Sequence, residues 1–321
     1  MSFPIIDISH ISDPSSYPLI AEKVTTACKE WGFLMIRGHQ ISSPDLKEMF
    51  ALSKAFFQLS EDDKEKYPIN SEHIGYIGSF EDRSKDDKMS MWFSGAPGYL
   101  EANKSMLPPF WHPHTQKLDT FKHQCHDLLI QLLKCFALAL GLPDINFFAD
   151  AHKENVADGD RLRMLMYPAR EESLLGVGED VGITRMVTHT DSNSMTLVFQ
   201  TSPGLEVLSP DGSTWTKAPY FEDCILVNLG DTLSFWSGGQ LKSTLHRVTY
   251  GTVPQQKERQ SIAYFGSANP ATVLKPIVSD STSIEKFRFN GEEVRDGITV
   301  GELQTMIMRN IYGDYIARKS A

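Results

Sequence analysis

The sequence predicts an α+β protein with a mainly β core, a distorted double-stranded β-helix (jelly roll) braced by N-terminal helices and a C-terminal helix. Three observations carry that reading. Short runs rich in β-branched, aromatic and aliphatic residues recur through the second half, and turns such as Pro203-Gly204 and Asp211-Gly212 punctuate them. The first half instead places apolar residues at helical spacing. Between the halves there is no Pro/Ser- or Gly/Ser-rich linker, and no internal repeat is evident, so residues 1–321 are expected to form one domain. Within it, 1–155 is the mostly helical part, 156–275 the β core, and 276–321 a C-terminal extension and helix.

Taken in order, Pro4–Ile8 reads as an opening strand. Tyr17–Trp31 has Ile20, Val24, Ala27 and Cys28 on one helical face, and Gly32 ends it before the strand Phe33–Ile36. Ser43 caps a second helix, with Pro44 in its first turn, that runs to about Leu59 through Met49, Leu52, Phe56 and Phe57. The charge run Glu61–Lys66 reads as a solvated turn and helix start. From 71 to 109 the pattern turns irregular, with glycines between aromatics, and long loops in compact domains are usually functional. This segment is expected to be a substrate lid, with Tyr76, Phe80, Trp92 and Phe93 as candidate contacts. The competing reading is that these rings only anchor the segment to the core.

Pro113–Leu140 is the longest predicted helix, its apolar side including Leu129, Leu132, Leu133, Phe136 and Leu140. His123 and His126 lie about one turn apart on it, but no matching ligand pair nearby supports a zinc site. Strands are then expected at Leu162–Pro168, Arg185–His189, Ser194–Gln200, Leu205–Leu208, Cys224–Asn228, Thr232–Trp236, Ser243–Tyr250 and Gln260–Ser267. The tail from Val300 to about Ile316 is amphipathic, with Leu303, Met306, Ile307 and Ile311 on one side.

The net charge of −10 argues against a nucleic-acid backbone or an anionic membrane as partner. Four cysteines, Cys28, Cys125, Cys135 and Cys224, are scattered without CxxC spacing, which fits reduced thiols. There is no basic n-region followed by an apolar run, and no stretch approaches the ~20 apolar residues of a membrane span. A cytoplasmic monomer acting on a small molecule is the expectation.

The chemistry concentrates in Val187-Thr188-His189-Thr190-Asp191. Two residues apart on a strand, His189 and Asp191 point to one side. His246, on another predicted strand, supplies a third ligand, and two His with one carboxylate form a facial triad that leaves coordination positions open. Arg259 and Ser261 likewise share a strand face, and a guanidinium beside a hydroxyl makes a carboxylate clamp.

With their order and spacing, His189-x-Asp191, His246-Arg247-Val248 and Arg259-x-Ser261 resemble the signature of the Fe(II)/2-oxoglutarate-dependent dioxygenases. The resemblance is closest to the branch containing isopenicillin N synthase and the plant and fungal small-molecule oxygenases. It extends through Val227–Asp231, Phe235–Gly239, Phe3–Asp7 and Trp31–His39, and so covers nearly the whole chain. It implies Fe(II) on His189, Asp191 and His246, with 2-oxoglutarate and O2 in the open positions. The distal carboxylate of 2-oxoglutarate is then met by Arg259 and Ser261, with Tyr167 as a further hydrogen-bond partner. Oxidative decarboxylation to succinate and CO2 would drive hydroxylation of a C–H bond, or desaturation or ring rearrangement. Where plant members carry Asn, this chain has Leu165, which removes one polar contact. An oxidase that uses Fe(II) and O2 without 2-oxoglutarate, and a non-catalytic jelly-roll binding protein, stay open as alternatives. Zinc hydrolysis lacks a Glu base placed as in His-Glu-x-x-His.

Arg163 is the last candidate. Strand alternation puts it on the face of Leu165 and Tyr167, hence toward the interior. Either an internal ion pair or an anionic or carbonyl group of the substrate would account for a charge there.

Overall fold

Two β-sheets face one another, and the strands of the larger come from both halves of the chain. The structure, a computed structural model, describes residues 2–78, 88–154, 159–169, 184–249, 257–277, 288–289, 292–295 and 297–307. Its main strands are β1 (Ile5–Asp7), β2 (Phe33–Arg37), β3 (Gly75–Ile77), β4 (Met89–Phe93), β5 (Arg161–Tyr167) and β6 (Thr184–His189). They continue as β7 (Met195–Gln200), β8 (Leu205–Leu208), β9 (Trp215–Lys217), β10 (Cys224–Leu229), β11 (His246–Thr249) and β12 (Arg259–Gly266). The eight-stranded sheet runs β1-β2-β10-β7-β12-β5-β4-β3, and the four-stranded sheet β6-β11-β8-β9.

Period-2 alternation sorts each central strand into two cores. On the outer face, Leu162 and Met164 of β5, Leu197 and Phe199 of β7, and Ile262 and Tyr264 of β12 join a helical layer. That layer includes Leu129, Leu132, Leu133 and Phe136 of the helix Thr115–Ala139. On the inner face, Phe33, Met35, Leu165, Tyr167, Leu226 and Ala263 meet Leu205, Val207 and Val248 of the smaller sheet. The functional side chains project into the space between the sheets.

The structure departs from the sequence reading in five places. The 71–109 segment is not simply a loop, because β3 and β4 extend the large sheet within it, with Gly75 paired to Trp92. The charge run is not wholly solvated. Lys64 is buried, donating to Phe57 O at 2.9 Å, pairing with Glu61 at 2.8 Å and lying over the Tyr76 ring. Thr232–Trp236 belongs to a helix, Asp231–Trp236, not a strand. All six of its residues are buried, so the run offered no periodicity to separate the two. Ser42 rather than Ser43 caps the second helix, accepting from Asp45 N. Three-ten geometry over Pro109–His114 delays the long helix to Thr115. At the C-terminus, Leu303 and Ile307 are buried on a helix over 300–307, whereas Ile311 lies outside the described residues.

A polar group interrupts the helical layer. Asp160, 6% exposed, accepts from His126 Nδ1 at 2.6 Å, from the Tyr264 hydroxyl and from Ser267 N at 3.0 Å. His123 is engaged with Glu154, so both helical histidines have carboxylate partners. Burial alone would lower the His126 pKa, but the hydrogen bond and charge of Asp160 outweigh it and hold it above 6.5. Burial would raise the Asp160 carboxyl, yet its donors hold it below 3.8. The His126 contribution to stability is therefore complete below 6.5 and lost as pH rises through its raised folded value. That of Asp160 is present above 3.8 and lost as pH falls through its depressed value. Asp160→Ala should cost about 3–5 kcal/mol, as expected for a buried pair stripped of one partner. Urea titration of both proteins should show the difference largest near pH 5–6 and narrowing toward alkaline pH. An unchanged midpoint at that pH would refute the assignment.

Candidate metal centre and co-substrate pocket

His189 and His246 are brought together by direct strand pairing. They stand opposite each other in the β6–β11 ladder, with ring centroids 4.2 Å apart. Register shifts follow within the same ladder, and such irregularities re-aim side chains beside functional sites. Asp191 lies just past the end of β6. The approach to His246 is tied to the first helix: Lys242 N donates to Cys28 O at 3.1 Å, and Thr244 Oγ1 to Trp31 O at 2.7 Å. Gly32 makes that approach possible. Its φ is +65°, and a Cβ there would sit 2.5 Å from Lys242 O. Gly230 does the same beside Asp191, where a Cβ would fall 2.0 Å from Asn193 O. Asp231 N then donates to Asp191 O at 2.8 Å, and Thr190 Oγ1 to Asp231 Oδ2 at 2.9 Å. Thr190 thus pins the loop that carries Asp191.

The donor set suits one metal ion. One atom from each of His189, Asp191 and His246 lies within 4.8 Å of the others, the one such cluster among the described residues. Asp191 Oδ1 is 3.7 Å from His189 Nε2 and 3.8 Å from His246 Nε2. Its other oxygen, Oδ2, accepts from Thr196 Oγ1 at 2.6 Å and Asn228 Nδ2 at 2.7 Å, which orients Oδ1 toward the imidazoles. His189 Nδ1 is 2.8 Å from Val187 O, and His246 Nδ1 is 3.1 Å from Thr244 O. A carbonyl only accepts, so both Nδ1 atoms carry the proton and both Nε2 lone pairs are left for a metal. Burial, then the neighbouring His246, push the His189 pKa well down, which keeps the ring neutral. Burial opposes the charge on Asp191, but the imidazoles, Thr196 and Asn228 outweigh it and hold the carboxyl below its usual range. Neutral imidazoles and an ionised carboxylate are the forms that bind metal.

Arg259, Ser261 and Tyr167 also converge. Arg259 is 5% exposed, with its guanidinium carbon 5.1 Å from the Tyr167 ring and Nη1 3.5 Å from Ser261 Oγ. Gln200 Oε1, at 3.0 Å from Nη2, and the carbonyls of Ser202 and Pro203 fix its orientation. Arg185 belongs to none of the sequence motifs, yet its guanidinium lies 5.2 Å from the Tyr167 ring, and it too is buried. Its spacing of four residues from His189, on one strand, was the signal available. Two buried guanidiniums therefore lie close to the Tyr167 ring.

The substrate candidates divide. Tyr76 and Phe93 belong to the outer core: Tyr76 donates to Glu61 and packs on Phe56, and Phe93 packs on Trp111 at 4.9 Å. Both are anchors on the far face of the sheet, which corrects the expectation that they contact substrate. Phe80 lies outside the described residues. Arg163 does face inward, stacked over Trp92 at 4.6 Å with Nη2 3.3 Å from Ser90 Oγ. Trp92 in turn stacks on Phe265 at 5.6 Å.

Comparison with known proteins gives this geometry a family. The description "2OG-Fe(II) oxygenase superfamily" matches residues 160–268, and "non-haem dioxygenase in morphine synthesis N-terminal" matches 3–113. UPF0676 protein C1494.01 of Schizosaccharomyces pombe is 34% identical over 299 residues, covering 88% of this chain and 87% of its own. The 2-oxoglutarate-dependent dioxygenase frbH of Dothideomycetidae sp. is 28% identical, covering 85% and 84%. Among solved structures, a full-length Neurospora crassa protein in complex with alpha-KG and thymine is 25% identical, with a TM-score of 0.80 over 96% of this chain and 97% of that one. With its jelly-roll fold, its His-x-Asp…His cluster and these matches over both halves, the chain belongs to the 2OG-Fe(II) oxygenase superfamily.

Proposed function

We infer that the protein is an Fe(II)- and 2-oxoglutarate-dependent dioxygenase that oxidises a C–H bond of a small organic metabolite, releasing succinate and CO2. The observation that carries this is the pairing of an oriented His189–Asp191–His246 trio with the buried Arg259 clamp. Two neutral imidazoles and one carboxylate would hold Fe(II), which supplies O2 activation when bound. Arg259 and Ser261 bind and orient the distal carboxylate of 2-oxoglutarate, while Tyr167 and Arg185 complete the wall around it. Asn228 and Thr196 keep Asp191 aimed. Leu165 and Ala263 of the inner core exclude water between clamp and metal.

A small-molecule substrate is supported by the Neurospora crassa neighbour, which was solved with thymine. The described residues include no helix long and apolar enough to cross a membrane. The reading extends to a cytoplasmic monomer in secondary metabolism, its compartment supported by cysteines that form no disulfide among the described residues. One sheet built from both halves favours a single domain. The test is anaerobic loading with Fe(II) and 2-oxoglutarate, exposure to O2 with a panel of metabolites, and assay of succinate. Substrate-dependent succinate is expected. Substrate oxidation without succinate would instead favour the oxidase.

A further inference from the structure

Asn228 and Thr196 aim the Asp191 carboxylate, but a different set of contacts holds the backbone that carries it. Residues 190–194 run against residues 230–232. Thr190 Oγ1 donates to Asp231 Oδ2 at 2.9 Å, and Asp231 N to Asp191 O at 2.8 Å. Thr232 Oγ1 donates to Ser192 O at 2.6 Å, and Gly230 N to Ser194 O at 3.0 Å. Both bonds of Asp231 therefore fall on the His189-Thr190-Asp191 tripeptide, while the others fall beyond it. Thr190 is the residue between the two ligands, so a tether on its side chain restrains the peptide planes leading to both.

The platform behind Asp231 is well anchored. Asp231 opens the helix Asp231–Trp236, whose residues are all buried, and Trp236 packs on Phe147 and Phe148 at 5.5 and 5.1 Å. The same helix leads toward the third ligand. Just past its end, Leu241 N donates to Ser237 Oγ at 3.0 Å, and Lys242 N to Cys28 O at 3.1 Å. The Ser243 hydroxyl, on the approach to His246, is near enough to act on the Asp231 carboxyl without making a full hydrogen bond. Asp231 thus stands between the segment that carries His189 and Asp191 and the segment that leads to His246. A second carboxylate, 5% exposed, so close to Asp191 is costly in a desolvated space. An apolar residue would avoid that cost but would accept nothing from Thr190.

We propose that Asp231 is a positioning residue of the metal centre: as acceptor for the Thr190 hydroxyl, it sets the angle at which His189 and Asp191 meet His246. It is not itself one of the three clustered donors. The proposal rests on the dioxygenase reading, because it takes that trio to hold Fe(II).

The experiment uses the whole chain under nitrogen and reads metal binding rather than turnover. Equilibrium dialysis gives the Fe(II) affinity, visible absorption of the Co(II)-substituted protein reports ligand geometry, and the melting temperature of the metal-free protein reports folding. Wild type comes first: if it binds no Fe(II), the dioxygenase reading falls, whatever the variants do. Thr190→Val keeps the side-chain shape but has no donor. It should weaken Fe(II) binding about tenfold, the low end for losing an outer hydrogen-bond partner, and change the Co(II) spectrum. Thr190→Ser restores the donor and should recover most of the affinity and the wild-type spectrum. Asp231→Ala should lose at least as much as Thr190→Val. The double variant should lose no more than Asp231→Ala alone, since the two changes remove one shared bond. Asp231→Asn keeps a carbonyl acceptor and should bind Fe(II) more tightly than Asp231→Ala. Thr190→Val with wild-type Fe(II) affinity and an unchanged Co(II) spectrum overturns the proposal, whether or not Asp231→Ala folds. So does an additive loss in the double variant, or an Asp231→Asn protein as weak as Asp231→Ala. A merely structural brace would lower the melting temperature of the metal-free variants with affinity and spectrum intact, and that result overturns it too.

Discussion

Asp191→Ala is expected to abolish turnover and to weaken Fe(II) binding far beyond the ~10–100-fold typical of losing an outer hydrogen-bond partner. The reason is geometric. Asp191 Oδ1 is the one carboxylate donor facing both Nε2 atoms in the cluster, and its removal leaves two neutral imidazoles. His189→Ala and His246→Ala should fail likewise, though His246→Ala also loses an edge contact with Phe33 at 5.2 Å. Asn228→Ala supplies the graded comparison. It removes the 2.7 Å donor to Oδ2 but leaves Thr196, so iron affinity should fall only ~10–100-fold. Equilibrium dialysis with Fe(II) under nitrogen, beside melting curves to confirm folding, measures each. Normal iron affinity in any two of the three ligand variants would remove the metal assignment. Thr188→Ala should be mild. Thr190→Ala should cost more than strand facing alone suggests, because its hydroxyl donates to Asp231.

That His189 stands near Asp191, and Arg259 near Ser261, was legible because residues two apart on a strand share a face, and alternation is local information; that His246 joins them depends on the β6–β11 pairing. The same logic placed Arg163 on the inner face. It equally points at Arg185, four residues before His189, but charge on a strand usually reads as exposed. Other features depended on partners far away in sequence. Nothing around Tyr76 or Phe93 reveals that Phe56, Phe57 and Trp111 close over them from the helical side. The strands β3 and β4 are three and five residues long, too short for period 2 to stand out amid glycines. Lys64 looked solvated within a charge run, and its burial is decided by the Phe57 carbonyl and the Tyr76 ring. The role of Gly32 in seating the loop before His246 spans more than two hundred residues, beyond any local pattern.

Arg259→Ala should raise the dissociation constant for 2-oxoglutarate by about 30- to 4,000-fold, the equivalent of ~2–5 kcal/mol for truncating one partner of a buried charged pair. Two features push the effect toward the upper part of that range. The guanidinium is buried, so the bound carboxylate is little screened by salt and has no water to replace its lost partner. Gln200 and the Ser202 and Pro203 carbonyls also hold it in place, so little side-chain entropy is lost on binding. Arg259→Lys should recover only part of the loss, since an ammonium cannot present the planar fork that a carboxylate accepts. Ser261→Ala removes a single hydroxyl contact and should cost about 1 kcal/mol, some fivefold. Arg185, also close to the Tyr167 ring, tempers the result by leaving one guanidinium near the clamp. Arg259→Ala combined with Arg185→Met should therefore bind more weakly than either single variant. Anaerobic calorimetry of 2-oxoglutarate into the Fe(II)-loaded protein distinguishes the five. If Arg259→Ala and Ser261→Ala both bind 2-oxoglutarate like wild type, the clamp is not its site and the Fe(II) oxidase reading gains.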